Sequence, residues 1–208
     1  MRVGIFGGSF DPPHVGHLLV AQDALTALSL DRLLIVPAAQ QPLKPGLQAP
    51  ATDRLALVQR CFGGVPGMEV DPVEIERGGL SFMVDTVDAL RQRWPSAELH
   101  LLIGEDVVAT LPHWREPERL RSMVRVVVLR RSSSAGIPYV SVAPRDETGV
   151  PVQHLATRRV DVSSTEIRAR VRAGRSIRGF VTDAVAEYIA STGLYLRDPV
   201  AVDVSARA

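Results

Sequence analysis

The sequence predicts an α/β fold: a mostly parallel, doubly wound sheet with flanking helices. Three observations carry this. Short apolar runs of strand length alternate with stretches of helical periodicity, the pattern of repeated β–α units with right-handed crossovers. The chain has 208 residues, 46% of them hydrophobic, enough for one sizeable core and short for two full domains. The first apolar run, ending at Phe6, passes into Gly7-Gly8 and, beyond Asp11-Pro12-Pro13, into a helical stretch with polar residues at its mouth.

Taken in order, Arg2 to Phe6 reads as a buried strand. Gly16 to Leu28 reads as a helix, with Leu18, Leu19, Ala21, Leu25 and Leu28 near helical spacing. Asp31 to Val36 is a second strand ended by Pro37, and Ala38 to Pro50, rich in Gln and Pro, is a loop. Thr52 and Asp53 offer an N-cap for a helix over Arg54–Phe62. Met68 to Glu76 alternates apolar and acidic residues and predicts an edge strand, closed by a turn at Arg77-Gly78-Gly79. A helix follows over Val84–Trp94, then a strand over Glu98–Ile103 ending at Gly104. A short helical turn at Pro112-His113-Trp114, a helix over Pro117–Met123 and a very apolar strand over Val124–Leu129 come next. Arg131 to Val150 reads as a surface loop with at most one short strand, Arg159–Val162 as the last strand, and Ser163–Val171 and Thr182–Ser191 as helices. These elements place residues 1–196 in one domain, with helices over 163–192, and predict a disordered tail over 197–208.

Bulk properties narrow the function. Lys and Arg number 24 and Asp and Glu 23, a balance that argues against nucleic acid as a partner. The single cysteine, Cys61, allows no intrachain disulfide and no cysteine cluster for zinc, and its apolar neighbours Leu57 and Val58 mark it as core. No apolar run reaches the ~18 residues of a membrane span and no signal peptide opens the chain, so the expected compartment is the cytoplasm. A homo-oligomer is compatible with everything read.

The chemistry concentrates in Gly7–His17, written GGSFDPPHVGH. Gly7 and Gly8 allow close backbone approach by a ligand. The first turn of the following helix has unpaired N–H groups and the positive end of the helix dipole, which suits phosphate. His14 and His17, three apart on that turn, can face one ligand; a phosphate neighbour favours their protonation. Three other readings compete. A nicotinamide-dinucleotide turn would want GxGxxG and an acid closing the second strand, and neither is present. A metal pair with Asp11 or Asp106 would want more carboxylates. A purely structural role is the third.

GSFDPPHVGH resembles the GxFDPxHxGH signature of the nucleotidyltransferase superfamily. Far away, Val162-Ser163-Ser164-Thr165-Glu166-Ile167-Arg168 is similar to that family's ISSTxIR. Within the superfamily, Ser81–Thr86, Ile103-Gly104-Glu105-Asp106 with Leu111–Trp114, and Gly193-Leu194-Tyr195 resemble the corresponding stretches of the bacterial nicotinate mononucleotide adenylyltransferases. The resemblance runs from Met1 to about Leu196. Departures from the pattern fall at Gln40, Gln41, Leu43, Phe82, Met83, Glu105 and Thr182.

The resemblance implies a Rossmann-like fold and adenylyl transfer from ATP to nicotinate mononucleotide, giving nicotinate adenine dinucleotide and pyrophosphate in NAD biosynthesis. Sister activities, transfer to phosphopantetheine or cytidylyl transfer, and a non-catalytic nucleotide sensor are the alternatives. It assigns His14, His17, Lys44 and Arg168 to catalysis. It assigns Gly8, Ser9, Phe10, Gly104, Asp106, Ser163, Ser164 and Thr165, with the two histidines and Arg168, to ATP. Lys44, Thr86, Trp114 and Arg131 fall to the mononucleotide. No metal is held by the protein; Mg²⁺ arrives with ATP. In physical terms, the 163–165 hydroxyls cap a helix whose N-terminus suits phosphate, and Arg168 one turn in can fork onto phosphate oxygens.

Overall fold

A computed structural model describes residues 1–43, 46–132, 139–143 and 152–197. Seven strands form one sheet in the order β3-β2-β1-β4-β5-β7-β6. The strands are β1 (Arg2–Gly8), β2 (Arg32–Pro37), β3 (Met68–Val70), β4 (Glu98–Gly104), β5 (Arg125–Ser132), β6 (Tyr139–Ala143) and β7 (Val152–Arg158). All neighbours pair in parallel except β6, which runs antiparallel to β7 on the outer edge. The sheet is the predicted doubly wound, Rossmann-like one. Its order reverses between β1 and β4, and ligands in such sheets bind outside the carboxyl ends of the strands at that point.

Eight α-helices flank the sheet among the described residues: α1 (Val15–Ala27), α2 (Ala51–Phe62), α3 (Val73–Arg77), α4 (Met83–Arg93), α5 (Glu105–Val108), α6 (Pro117–Met123), α7 (Ser164–Arg172) and α8 (Asp183–Thr192). The strands are apolar on both faces because both are covered, and alternate residues enter different cores. Phe6, Leu33, Ile35, Leu102, Val127 and Leu155 pack with α1, α2, α7 and α8. Val3, Ile5, Leu34, Leu101, Val126 and Val128 pack with α4 and α6.

Three expectations are corrected. The strand expected over Met68–Glu76 stops at Val70, and Val73–Arg77 is helical. Pro72 has no N–H for a ladder, and Asp71 Oδ1 accepts the Val73 N–H at 3.0 Å, turning the chain into α3. The last strand is Val152–Arg158, not Arg159–Val162. Pairing with β5 on one side and β6 on the other imposes it on a segment of mixed local character. Helix α2 starts at Ala51 behind Pro50, with no side-chain cap from Thr52 or Asp53. Asp53 instead accepts the Tyr188 hydroxyl at 2.8 Å. Of the expected tail, residues 198–208 lie outside those described. Among the described residues no helix is long and apolar enough to cross a membrane.

Cys61 is buried in the α2 face of the core, and burial pushes its thiol up to about 12. The thiolate is the reactive form. At pH 8 the native protein should therefore give essentially no reaction with a thiol reagent and one equivalent on unfolding; a reactive native thiol would contradict the packing.

Candidate active site

The segment from Ser9 to His14 turns the chain from β1 into α1 across the switch point. It has little local hydrogen bonding to hold it: Pro12 and Pro13 have no N–H, and Phe10 sits at φ 48° in the left-handed region. Packing holds Phe10, which is 2% exposed and makes edge-on contacts with Phe6, His17 and Phe62. The rest is held from a distance. Asp11 is buried, and its carboxylate accepts the Gln48 and Ala49 N–H groups at 2.7 and 3.1 Å and the Tyr195 hydroxyl at 2.8 Å. Burial and Asp11 together push the Tyr195 phenol well up, so its hydroxyl stays a donor.

Helix α7 closes on the same bend. Ser163 caps it, accepting the Glu166 N–H at 3.1 Å. Ser164 Oγ donates to the Pro12 carbonyl at 2.8 Å, and Arg168 Nη1 donates to the Asp11 carbonyl at 2.7 Å. Arg168 Nη2 reaches Thr165 Oγ1 at 3.3 Å, and Arg168 Nε is buried with no hydrogen-bond partner among the described residues. The two phosphate-type motifs, about 150 residues apart in sequence, are thus in direct contact. A second tie supports them. Asp23 on α1 is buried and accepts Arg158 Nε and Nη2, at 3.0 and 2.7 Å, from the end of β7.

His14 is the N-cap of α1 and His17 lies in its first turn. Their rings stack, with centroids 3.7 Å apart. The His14 N–H donates to His17 Nδ1 at 3.2 Å. That bond makes Nδ1 an acceptor and leaves Nε2 as the ring nitrogen able to face a ligand. Gly16 makes room for the pair: a Cβ there would lie 3.0 Å from His14 Nδ1.

Other expected residues spread around this centre. Gly8 ends β1 opposite Pro37 of β2, and Ser9 Oγ donates to Gln41 Oε1 at 2.8 Å. Gly104 ends β4, with Asp106 exposed in the short α5. Trp114 is half-buried against the α4–α6 core, and its indole N–H donates to Thr110 Oγ1 at 3.0 Å. Thr86 is fully buried; its hydroxyl donates to Glu74 Oε1 at 2.7 Å and accepts from Arg77 at 3.1 Å. It supports the start of α4 from behind. Burial pushes the Glu74 carboxyl upward, against the pull of that hydrogen bond. The Arg131 backbone lies in β5 opposite Thr157, its side chain outside what is described. Lys44 also lies outside the described residues.

Three of the departures from the motif pattern have local accounts. Met83 lies over the end of β1, where a Cβ on Gly7 would come within 2.9 Å of Met83 Cε. Arg115 lies over the Phe82 ring at 4.9 Å, and Glu105 pairs with Arg130 at 2.9 Å.

Sequence reading missed Arg54. It is 1% exposed and donates from Nε to Ala49 O, from Nη1 to Ser9 O and Ala38 O, and from Nη2 to Ala39 O. The signal was present: Arg54 stands three, four and seven residues before Leu57, Val58 and Cys61, on the buried face of α2. Glu74 and the Asp23–Arg158 pair were missed as well, because they meet across elements.

Tyr195→Phe removes one of the three donors that Asp11 receives, and should lower stability by about 1.5–3 kcal/mol, as for a hydrogen bond to a charged group. The thermal midpoint should fall about 2–4 °C for each kcal/mol. An unchanged melting curve would show that Tyr195 does not anchor the bend.

Comparison with known proteins agrees with this geometry. A family model described as cytidylyltransferase-like matches residues 5–170. A protein of Gemmatimonas aurantiaca named probable nicotinate-nucleotide adenylyltransferase is 67% identical over 199 residues, 96% of this chain and 94% of its own. One of the same name from Thermus thermophilus is 40% identical, over 94% of this chain and all of its own. The solved structure of Plasmodium falciparum nicotinic acid mononucleotide adenylyltransferase complexed with NaAD superposes with a TM-score of 0.74 at 16% identity, covering 93% of this chain and 97% of that one, a likeness of fold. With phosphate-type motifs in contact at the switch point, a matched family model and close relatives along nearly its whole length, the chain belongs to the cytidylyltransferase-like superfamily and, within it, to the nicotinate-nucleotide adenylyltransferase family.

Proposed function

We propose that this protein joins ATP and nicotinate mononucleotide, releasing pyrophosphate and forming nicotinate adenine dinucleotide. The observation that carries the reading is the contact of α7 with the β1–α1 bend. That contact brings two helix N-termini, two stacked histidines and Arg168 together beyond the carboxyl end of β1, next to the point where the strand order reverses. Such an arrangement suits a polyphosphate.

The mononucleotide phosphate oxygen attacks the α-phosphorus of ATP in line. The new P–O bond forms as the bond to the bridging oxygen breaks, and pyrophosphate leaves. The nucleophile is already an anion, so no protein base is required, and catalysis is positioning plus charge stabilisation. In this reading His14 and His17 bind ATP phosphates, with His17 Nε2–H aimed at the oxygen that gains charge in the transition state. Gly8, Ser9 and Phe10 contribute main chain beside the reacting phosphate, and Ser163, Ser164 and Thr165 the second helix mouth. Arg168 and Lys44 neutralise the departing pyrophosphate. Gly104 and Asp106 flank the adenosine. Thr86, through the start of α4, Trp114 and Arg131 lie on the mononucleotide side, Trp114 stacking on the pyridine ring. Mg²⁺ enters as part of the MgATP substrate, held by phosphate and water. Residues 1–196 form the catalytic domain in this account, and the cytoplasm is its place of work.

The test is pyrophosphate release from ATP or CTP with a panel of acceptors: nicotinate mononucleotide, nicotinamide mononucleotide and phosphopantetheine. ATP with nicotinate mononucleotide should give the highest specificity constant; stronger use of phosphopantetheine or CTP, or no turnover with any acceptor, would refute the reading. His17→Ala should keep the fold and lose roughly two to four decades of turnover, the range for a donor used in the transition state. A variant within about threefold of the parent would remove His17 from the mechanism.

A further inference from the structure

We infer that Arg54 is a positioning residue for adenylyl transfer, fixing the spacing between the two substrate half-sites. The inference rests on the proposed reaction and adds a residue to it. The guanidinium of Arg54 is fully buried, yet every hydrogen bond it makes goes to a main-chain carbonyl and none to a carboxylate. A buried arginine held for stability alone is ordinarily paired with an acid. Here the fork bridges two loops. Nη1 binds Ser9 O at 3.0 Å, on the β1–α1 bend that carries the phosphate-binding histidines. Nη1 also binds Ala38 O, and Nη2 binds Ala39 O at 2.7 Å, on the loop after β2. Nε binds Ala49 O at 3.2 Å, and the Ala49 N–H in turn donates to Asp11.

The loop after β2 is tied on its far side to the mononucleotide half-site. The Ala39 N–H donates to Ser81 Oγ at 2.9 Å, the Ser81 N–H donates to Gln40 O at 2.8 Å, and Ser81 stands two residues before α4. Arg54 is thus the rigid link in a chain of contacts from Ser9 through Ala38-Ala39 to Ser81. A planar fork fixes distances between its acceptors; a lysine ammonium on a flexible stem does not. In-line transfer depends on the separation of nucleophile and phosphorus, and a misplacement of about 1 Å costs on the order of 10²-fold in rate. Each substrate by itself touches one half-site, so a change in spacing falls on turnover and spares separate binding.

The test uses Arg54→Lys and Ser81→Ala in the full chain. Folding is checked by thermal melting. Separate Kd values for a non-hydrolysable ATP analogue and for nicotinate mononucleotide come from calorimetry, and kcat from pyrophosphate release at saturation. Arg54→Lys should fold and bind each substrate within about threefold of the parent while kcat falls about 10²-fold. Ser81→Ala should lower kcat at least several-fold with both Kd values kept. The double variant should lose less than the product of the two single losses, because both act on one loop. Parental kcat in Arg54→Lys, or a loss matched by weaker binding of either substrate, would overturn the inference. If Arg54→Lys does not fold, Ser81→Ala decides: parental kcat overturns it. A parent that releases no pyrophosphate with nicotinate mononucleotide would refute the proposed reaction, and the inference would fall with it.

Discussion

The bend from Ser9 to His14 cannot hold itself, and much of the structure serves to hold it. Two consecutive prolines remove its donors and a phenylalanine sits at positive φ, so the groups that fix it come from elsewhere. They are the N–H groups of Gln48 and Ala49, the guanidinium of Arg54, Ser164 and Arg168 on α7, and the hydroxyl of Tyr195. These residues span most of the sequence. The sheet order, the crossovers and the return of the C-terminal helices to β1 bring them to one place.

The energetics explain why the arrangement is all or nothing. A neutral hydrogen bond contributes about 0.5–1.5 kcal/mol net, but leaving a buried partner unpaired costs about 1–3 kcal/mol, more when it is charged. Asp11 and Arg54 are buried charges that make no direct ion pair with each other; Ala49 lies between them, its N–H on one and its carbonyl on the other. Burial holds the Arg54 pKa below its ordinary value, against the opposing pull of the nearby Asp11 and Glu74. Removing one member leaves the others unsatisfied in a poor solvent for charge. The result is a bend rigid enough to present His14 and His17 as a stacked pair.

Much of this was legible in the sequence, and the exceptions share one cause. The two histidines at a helix mouth and the capped helix at Ser163 are local patterns that the structure bears out as elements, whereas Gly7 and Gly8 end β1 rather than forming a turn. Arg54 was legible in principle, since it falls on the apolar face of α2. Thr86 stands at the start of a helix, which looks like a place for a ligand, but Glu74 and Arg77, brought in by α3, together with the Phe82 carbonyl, occupy its hydroxyl. Tyr195 appeared as part of a closing motif, but nothing near it in sequence says that it reaches Asp11. The strand over 152–158 was missed because its register comes from β5 and β6. Non-local partners decided each of these, and periodicity reports only local ones.

In the proposed reaction α7 and the β1–α1 bend bind the triphosphate together. A crystal structure with a non-hydrolysable ATP analogue tests it most directly. The triphosphate is expected between the stacked histidines and the N-terminus of α7, with His17 Nε2 and the Arg168 guanidinium within hydrogen-bond distance of phosphate oxygens. A triphosphate bound away from either motif, or a nucleotide held with Arg168 still directed only at Asp11 and Thr165, would contradict it.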